Sequence, residues 1–506
     1  MAVNCLVSRI VITETCRTGH EAWNSGRMMG QVTTDTNISY NRAIVVPPVV
    51  IAFLLSLIAG GLFSYDLIIF GTFVLGGSVI VFGLLRPKLL LYFILFSSSM
   101  LGYYKLARYT TFFEGTSFQM NLQGLRNILI ITVSAPMIIF NIKKVVEAKF
   151  FLPILLYVLV FILTMVINFS MDNLRLFTNV ISPFLFYFLM LIFIKNEKDK
   201  NAVLIAIILS SIVPIIVAIL QYFGVLKIYE KYDYHTIGKR IHSTFDLANT
   251  FGVYMVMFSS ISILKFLKEK QFFRRIWKGV YLIGAHLALM MTMSRNAIFS
   301  MLLSYTIIAN AKWGILRSIM VALLLLVFLF SIPGLNERLL TPSQQLEISI
   351  FDLFSRFDFE TVNFYSMGRL VIWRDWWYEI LESTPMQHIF GHGFDPSIIK
   401  GRYFHNEFLR SYWVNGVIGL VFYMYLIFHV LFTIYSWTRA SVKKNEWNIY
   451  YISSFCYIFA MTFMLNFDNI FGKHEIWIYY FAFMALAEMT RTKEAEDKLS
   501  QGQASV

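Results

Sequence analysis

The chain has 506 residues, 57% of them hydrophobic and only 14% charged, with a formal net charge of +13. A mean hydropathy of +0.63 excludes a soluble globular protein, whose surface could not cover so much apolar area. Three cysteines at unrelated positions, Cys5, Cys16 and Cys456, give neither a disulfide framework nor a metal-ligand spacing.

Residues 1–43 are polar and read as a cytoplasmic arm without a secretory signal, because the first apolar run starts near Ile44 and no cleavage site follows it. A membrane span needs about 20 apolar residues. Runs of that kind fall at 44–65, 67–85, 89–104, 127–141, 151–168, 176–194, 202–224, 247–266, 277–294, 296–311 and 315–331. Three more follow at 407–436, 447–466 and 476–490. The expected fold is therefore all-α and polytopic, with fourteen spans, or twelve if the short fourth and tenth runs are re-entrant. Prolines 47, 48, 136, 183 and 214 lie inside these runs and are tolerable where neighbouring helices satisfy the freed carbonyls.

Lysine and arginine set the orientation. With the N-terminus inside, every inner connection with its flanks carries at least two of them, whereas the short outer turn at Tyr65-Asp66 has none. Both termini are then expected in the cytoplasm, the tail 491–506 included. The positive charge becomes a topology signal, and nucleic acid drops out as a partner.

One connection dominates the outer side, 332–406, and loops of that length are usually functional. Within it SMGRLVIWRDWWYEILES (366–383) reads as an amphipathic helix with Leu370, Trp373, Trp377 and Leu381 on one face. It forms a lid suited to the membrane interface that presents Arg369 and Arg374. Arg240 and His242 precede the eighth span, and Arg295 sits at an outer turn between two apolar runs. An arginine there must find an anion or a cavity, unless it snorkels to lipid headgroups. A set of arginines suits phosphate oxygens held bidentately, such as those of a lipid-linked phosphate or diphosphate. At the end of the loop His405, Asn406 and Glu407 stand where a span begins. They are either a functional junction or a helix cap. No Walker-type loop, HExxH or Asp-x-Asp pair is present to hold a nucleotide or metal, so no cofactor and no metal site are expected.

The sequence resembles the superfamily of O-antigen ligases and Wzy-type polysaccharide polymerases. The matching pieces are Gln221-Tyr222, RIHSTFDLANTFG (240–252), MTMSRNAIFSMLLS (291–304), GRLVIWRDWW (368–377), GHGF (391–394) and HNEFLRSYWVNGVIGL (405–420). The resemblance covers about residues 200–436; the long N-terminal arm departs from it, and the family often has twelve spans. It implies a metal-independent, inverting glycosyltransferase in a bacterial cytoplasmic membrane whose donor is a glycan on undecaprenyl diphosphate. His405 matches the family's essential histidine, Arg295 the arginine of its Ser-Arg motif and Arg369 its loop arginine; Arg240 is a looser match. Beside the resemblance, and from the residues themselves, Asn406 or Glu407 would orient the ring or the acceptor, and Lys400, Arg402 and Arg410 would either steer a second anion or serve as ordinary interfacial anchors. A polymerase, which joins lipid-linked repeats and works beside a flippase and a chain-length regulator, is the first expectation. A ligase passing the finished chain to lipid A-core is the second, and a lipid-linked oligosaccharide flippase is a more distant third.

Overall fold

A computed structural model describes residues 83–101, 122–226 without 170, 240–331 without 246, 359–360, 363, 366, 368–393, 403–467 without 445, and 473–503. The chain divides into two compact units, Met1–Leu85 and Arg86–Val506, and the description below concerns the second. The arm 1–43, the expected spans 44–65 and nearly all of 67–85, most of the loop 332–368, and Lys400 and Arg402 lie outside the described residues.

The described residues are helical, with no strand. In order the helices are α1 Pro87–Leu101, α2 Leu122–Phe140, α3 Ile142–Val146, α4 Phe151–Ile167, α5 Met171–Phe193, α6 Glu197–Ser210, α7 Ile212–Tyr222, α8 Ala248–Lys268 and α9 Phe272–Met291. They continue as α10 Arg295–Trp313, α11 Ile315–Phe330, α12 Arg369–Leu381, α13 Pro385–Phe390, α14 Glu407–Lys443, α15 Ile449–Met464 and α16 His474–Gln503. Three stretches are long and apolar enough to cross a membrane: Glu197–Tyr222 (α6 with α7), Ala248–Lys268 and Glu407–Lys443. Shorter apolar helices accompany them, α4 and α15 among these. The two short runs of the sequence reading are helices of 19 residues each, α2 and α10.

The burial pattern fits a membrane. Apolar side chains face outward along whole helices, for example Phe272, Ile276, Val280, Ile283 and Leu287 on α9 and Leu316, Ile319, Leu323 and Val327 on α11. A soluble protein could not leave such stripes in water. The interior instead holds α8 and α16, nearly all of whose residues from Phe251 to Ile261 and from Ile476 to Ala487 are buried. Buried polar residues, Ser98, Arg126, Asn127, Glu407 and Arg410, also lie inside, where helix–helix hydrogen bonding can satisfy them.

Hydrogen bonds sort the helix termini into two ends. At one end the Thr244 hydroxyl donates to the Ser99 carbonyl at 2.8 Å, Ile241 N–H to the Met291 carbonyl at 3.1 Å and Glu407 N–H to the Leu465 carbonyl at 2.8 Å. At the other end Lys88 pairs with Asp199 at 2.6 Å, Lys149 N–H donates to Glu488 at 2.6 Å, and the Lys312 ammonium lies 4.7 Å from the Trp447 ring centroid. Every described arginine or histidine singled out for chemistry is at the first end.

Two expectations change. The lid helix starts at Arg369, after a left-handed Gly368 (φ 78°), and its buried face is Trp376 and Ile380; Trp377 and Leu381 are 50% and 58% exposed. Trp376 packs against Phe404, centroids 4.1 Å apart at a tilt of 31°, and against Trp413 at 5.1 Å, which turns the inward face by one position. The run from 407 is not one straight helix either. α14 leaves helical geometry at Gly416 (φ 66°, ψ −170°), so residues 407–415 form a short separate segment.

Candidate functional site at the arginine end of the bundle

α10 begins with Ser294, whose hydroxyl accepts from Ala297 N–H, and this places Arg295 at the first helical position. Burial lowers the pKa of Arg295 from its usual value, and the charges of Arg369 and Arg240 lower it further. Arg369 and Arg240, from two other connections, therefore lie close enough to Arg295 for their charges to act on it. Arg240 is oriented by the Thr292 carbonyl, which accepts from its Nε at 3.3 Å, and by Asn249 Oδ1 at 2.5 Å from its Nη2. Its segment is tied down by Ser243, whose N–H donates to Gln221 Oε1 at 2.8 Å and whose hydroxyl donates to the Pro214 carbonyl at 2.5 Å. Desolvation and like charge act in the same direction on Arg295, so a bound anion would relieve both.

His405 stands at the same end. Trp373, one turn after Arg369 on α12, donates its indole N–H to the Phe404 carbonyl at 2.9 Å, which joins the lid helix to the residue before the histidine. On the other side Asn406 is the N-cap of α14: its Oδ1 accepts from Phe408 and Leu409 N–H, both at 3.0 Å. Its Nδ2 donates to the Asn466 carbonyl at 3.4 Å. The His405 ring is 6.1 Å from that of Tyr403, centroid to centroid.

Among the described residues, three that are not glycine have positive φ: Ser243 (56°), Met293 (50°) and His405 (50°). Each lies within three residues of Arg240 or Arg295, or is the candidate base itself. Left-handed geometry costs an ordinary residue about 1–2 kcal/mol, and such strain collects where a site over-determines the backbone.

Other sequence candidates lie elsewhere. Arg374 is exposed, pairs with Asp375 at 3.1 Å and lies over the Phe359 ring at 5.6 Å. Five positions after Arg369, it is on another face of the helix. Glu407 and Arg410 do not reach the surface: they form a buried ion pair at 2.8 Å, with side chains 1% and 4% exposed. Glu407 and Arg410 thus offset each other's charge inside the bundle. The reason is helical spacing, which puts positions three apart on one face, here the inward one. His242 is buried, its Nδ1 2.6 Å from the Phe245 carbonyl, and closes a turn.

The GHGF motif has a structural partner that the sequence did not reveal. The break at Gly416 frees carbonyls of α14, and His392 and Gly393 N–H donate to those of Trp413 and Val414 at 2.8 and 2.9 Å. Close approach of the two motifs requires glycine at 391 and 416, where a Cβ would meet main-chain atoms of Val414 and Ile389. Among the described residues no group of three or more His, Cys, Asp or Glu side chains is placed to hold a metal ion. No family model matches the chain, and no curated protein matches it.

Proposed function

We propose that this protein is a membrane glycosyltransferase that polymerises undecaprenyl-diphosphate-linked oligosaccharide repeats into a surface polysaccharide. The observation that carries the reading is the convergence of Arg240, Arg295 and Arg369, drawn from three distant connections, at the end of the bundle where His405 stands. The resemblance of the surrounding motifs to O-antigen ligases and Wzy-type polymerases supports the same reading. The chain then spans a bacterial cytoplasmic membrane twelve to fourteen times, with both termini inside and the arginine end outside.

In this reading the arginines hold the diphosphate of the donor. His405 takes the proton from an acceptor sugar hydroxyl, whose oxygen bonds to the anomeric carbon as the bond to the diphosphate oxygen breaks. Undecaprenyl diphosphate leaves with the electron pair, and the arginines stabilise the charge that grows on it. Histidine is the side chain whose ordinary titration range suits a base near neutral pH. A single displacement inverts the anomeric centre.

A ligase shares this chemistry and differs in its acceptor. Burial of Arg410 removes one of the cations expected to steer a second diphosphate, and that observation keeps the ligase as the second reading. Deleting the gene and examining the glycans separates the two. Loss of a polymerase leaves single repeats and no long chains; long chains stranded on the carrier would select the ligase. Unaltered surface glycan would overturn both.

A further inference from the structure

The GHGF loop reaches His405 through a column of rings. The His392 ring lies flat on Trp413, centroids 3.8 Å apart at 11°, with its Nε2 3.0 Å from the Ser383 hydroxyl. Trp413 meets Trp376 edge-on at 5.1 Å and Phe404 at 6.1 Å. Trp376 and Phe404 are themselves 4.1 Å apart. Trp376, Phe404 and Trp413 are all buried, and the column ends at the residue that precedes His405.

That position matters because His405 has a left-handed backbone, which an L-residue leaves unless both flanks hold it. The C-terminal flank is held by the Asn406 cap and by the Glu407 N–H bond to Leu465. The N-terminal flank is Phe404, clamped between Trp376 and Trp413 with its carbonyl on Trp373.

We infer that Trp413 and His392 are positioning residues for His405, holding the wall against which Phe404 fixes the left-handed backbone of the base. The inference rests on the reading of His405 as the general base. Arg240 and Arg295 lie on segments other than α12 and α14, so removing the wall is expected to misplace the base before it disturbs the anion contacts of these two arginines. Ordinary core packing would instead affect folding and every function together.

The test uses full-length protein in nanodiscs. Its substrate is lipid-linked glycan isolated from a strain lacking the protein, and its binding probe is farnesyl diphosphate. Trp413→Leu is expected to lower kcat by about 10- to 100-fold, the loss that follows small misplacement of a reacting group. KM and the farnesyl diphosphate affinity should stay within about twofold. Trp413→Phe, which keeps a ring in the column, should recover most of kcat. His392→Ala should show the same split more mildly, and decides the matter if Trp413→Leu does not fold. Unchanged kcat in these variants overturns the inference, as does an affinity for farnesyl diphosphate that falls in step with kcat. His405→Ala is assayed alongside: full activity there sinks the base itself, whereas an inactive His405→Ala beside a fully active Trp413→Leu sinks only the positioning role.

Discussion

Gly391 and Gly416 meet backbone to backbone: a Cβ on Gly391 would lie 2.2 Å from the Val414 carbonyl oxygen, and one on Gly416 2.2 Å from that of Ile389. Both have positive φ, 77° and 66°. No flexible side chain can give way, because the obstructing atoms are main chain. Gly391→Ala and Gly416→Ala are each expected to abolish folded protein, read by fluorescence size-exclusion of detergent extracts. Gly314→Ala is the control, since its φ is also positive but nothing lies within 4 Å; backbone strain alone should cost about 1–3 kcal/mol there. Normal yield of Gly416→Ala would mean that the two motifs do not interlock.

The arginine cluster should trade stability for binding. Arg295 has its pKa lowered by burial and by Arg369 and Arg240, so the folded state disfavours its charged form. Wherever that charge is present it destabilises the ligand-free fold. Arg295→Met should therefore raise the Tm of the ligand-free protein, while removing the stabilisation that farnesyl diphosphate gives the native chain through linkage. Arg295→Lys keeps the charge but loses the planar fork, and turnover should fall about 10²-fold. A lower Tm in Arg295→Met would speak against a repulsive cluster.

His405→Ala is expected to reduce polymer formation by about 10² to 10⁴-fold, the usual worth of a positioned base, with normal insertion. Asn406 acts differently, as a cap worth about 0.5–2 kcal/mol. Asn406→Ser should keep both cap and activity, and Asn406→Ala should lower Tm more than turnover. Equal turnover loss in Asn406→Ser and Asn406→Ala would assign Asn406 to the chemistry instead.

The buried pair Glu407–Arg410 gives a prediction about folding. Tyr157 and Tyr423 stand near enough to feel both charges, and Tyr157 and Tyr423 are 5.6 Å apart, ring to ring. Removing one charge leaves the other uncompensated, at about 3–5 kcal/mol. Glu407→Met alone should lose folded protein, and Glu407→Met with Arg410→Leu should recover it. Failure of the double variant to recover would point to a role beyond the pair.

Orientation can be read by cysteine labelling. Thr384 and Lys444 are both exposed and lie at opposite ends of the bundle. A membrane-impermeant maleimide applied to intact cells should reach Thr384→Cys and spare Lys444→Cys until the cells are opened. The reverse pattern would put the arginines inside, where a lipid-linked glycan awaiting polymerisation is not presented.

Composition alone determined that the chain is helical and membrane-bound, because runs of apolar residues about 20 long have few alternatives. The order of residues also marked Arg240, Arg295 and His405, since a charge beside such a run needs a reason, and Arg369 on the lid helix of the long loop. What the sequence could not decide was direction. Glu407 and Arg410 looked as available as Asn406, yet their spacing turns both inward, and which side of a helix faces the bundle depends on its neighbours. Nor could it show that Trp376, rather than Trp377, faces inward, because Phe404 and Trp413, 28 and 37 residues further along the chain, pack against it. The joining of GHGF to the broken α14, and of both to His405 through Trp413, is likewise a long-range contact between backbones and rings. Only the folded chain brings those groups within reach.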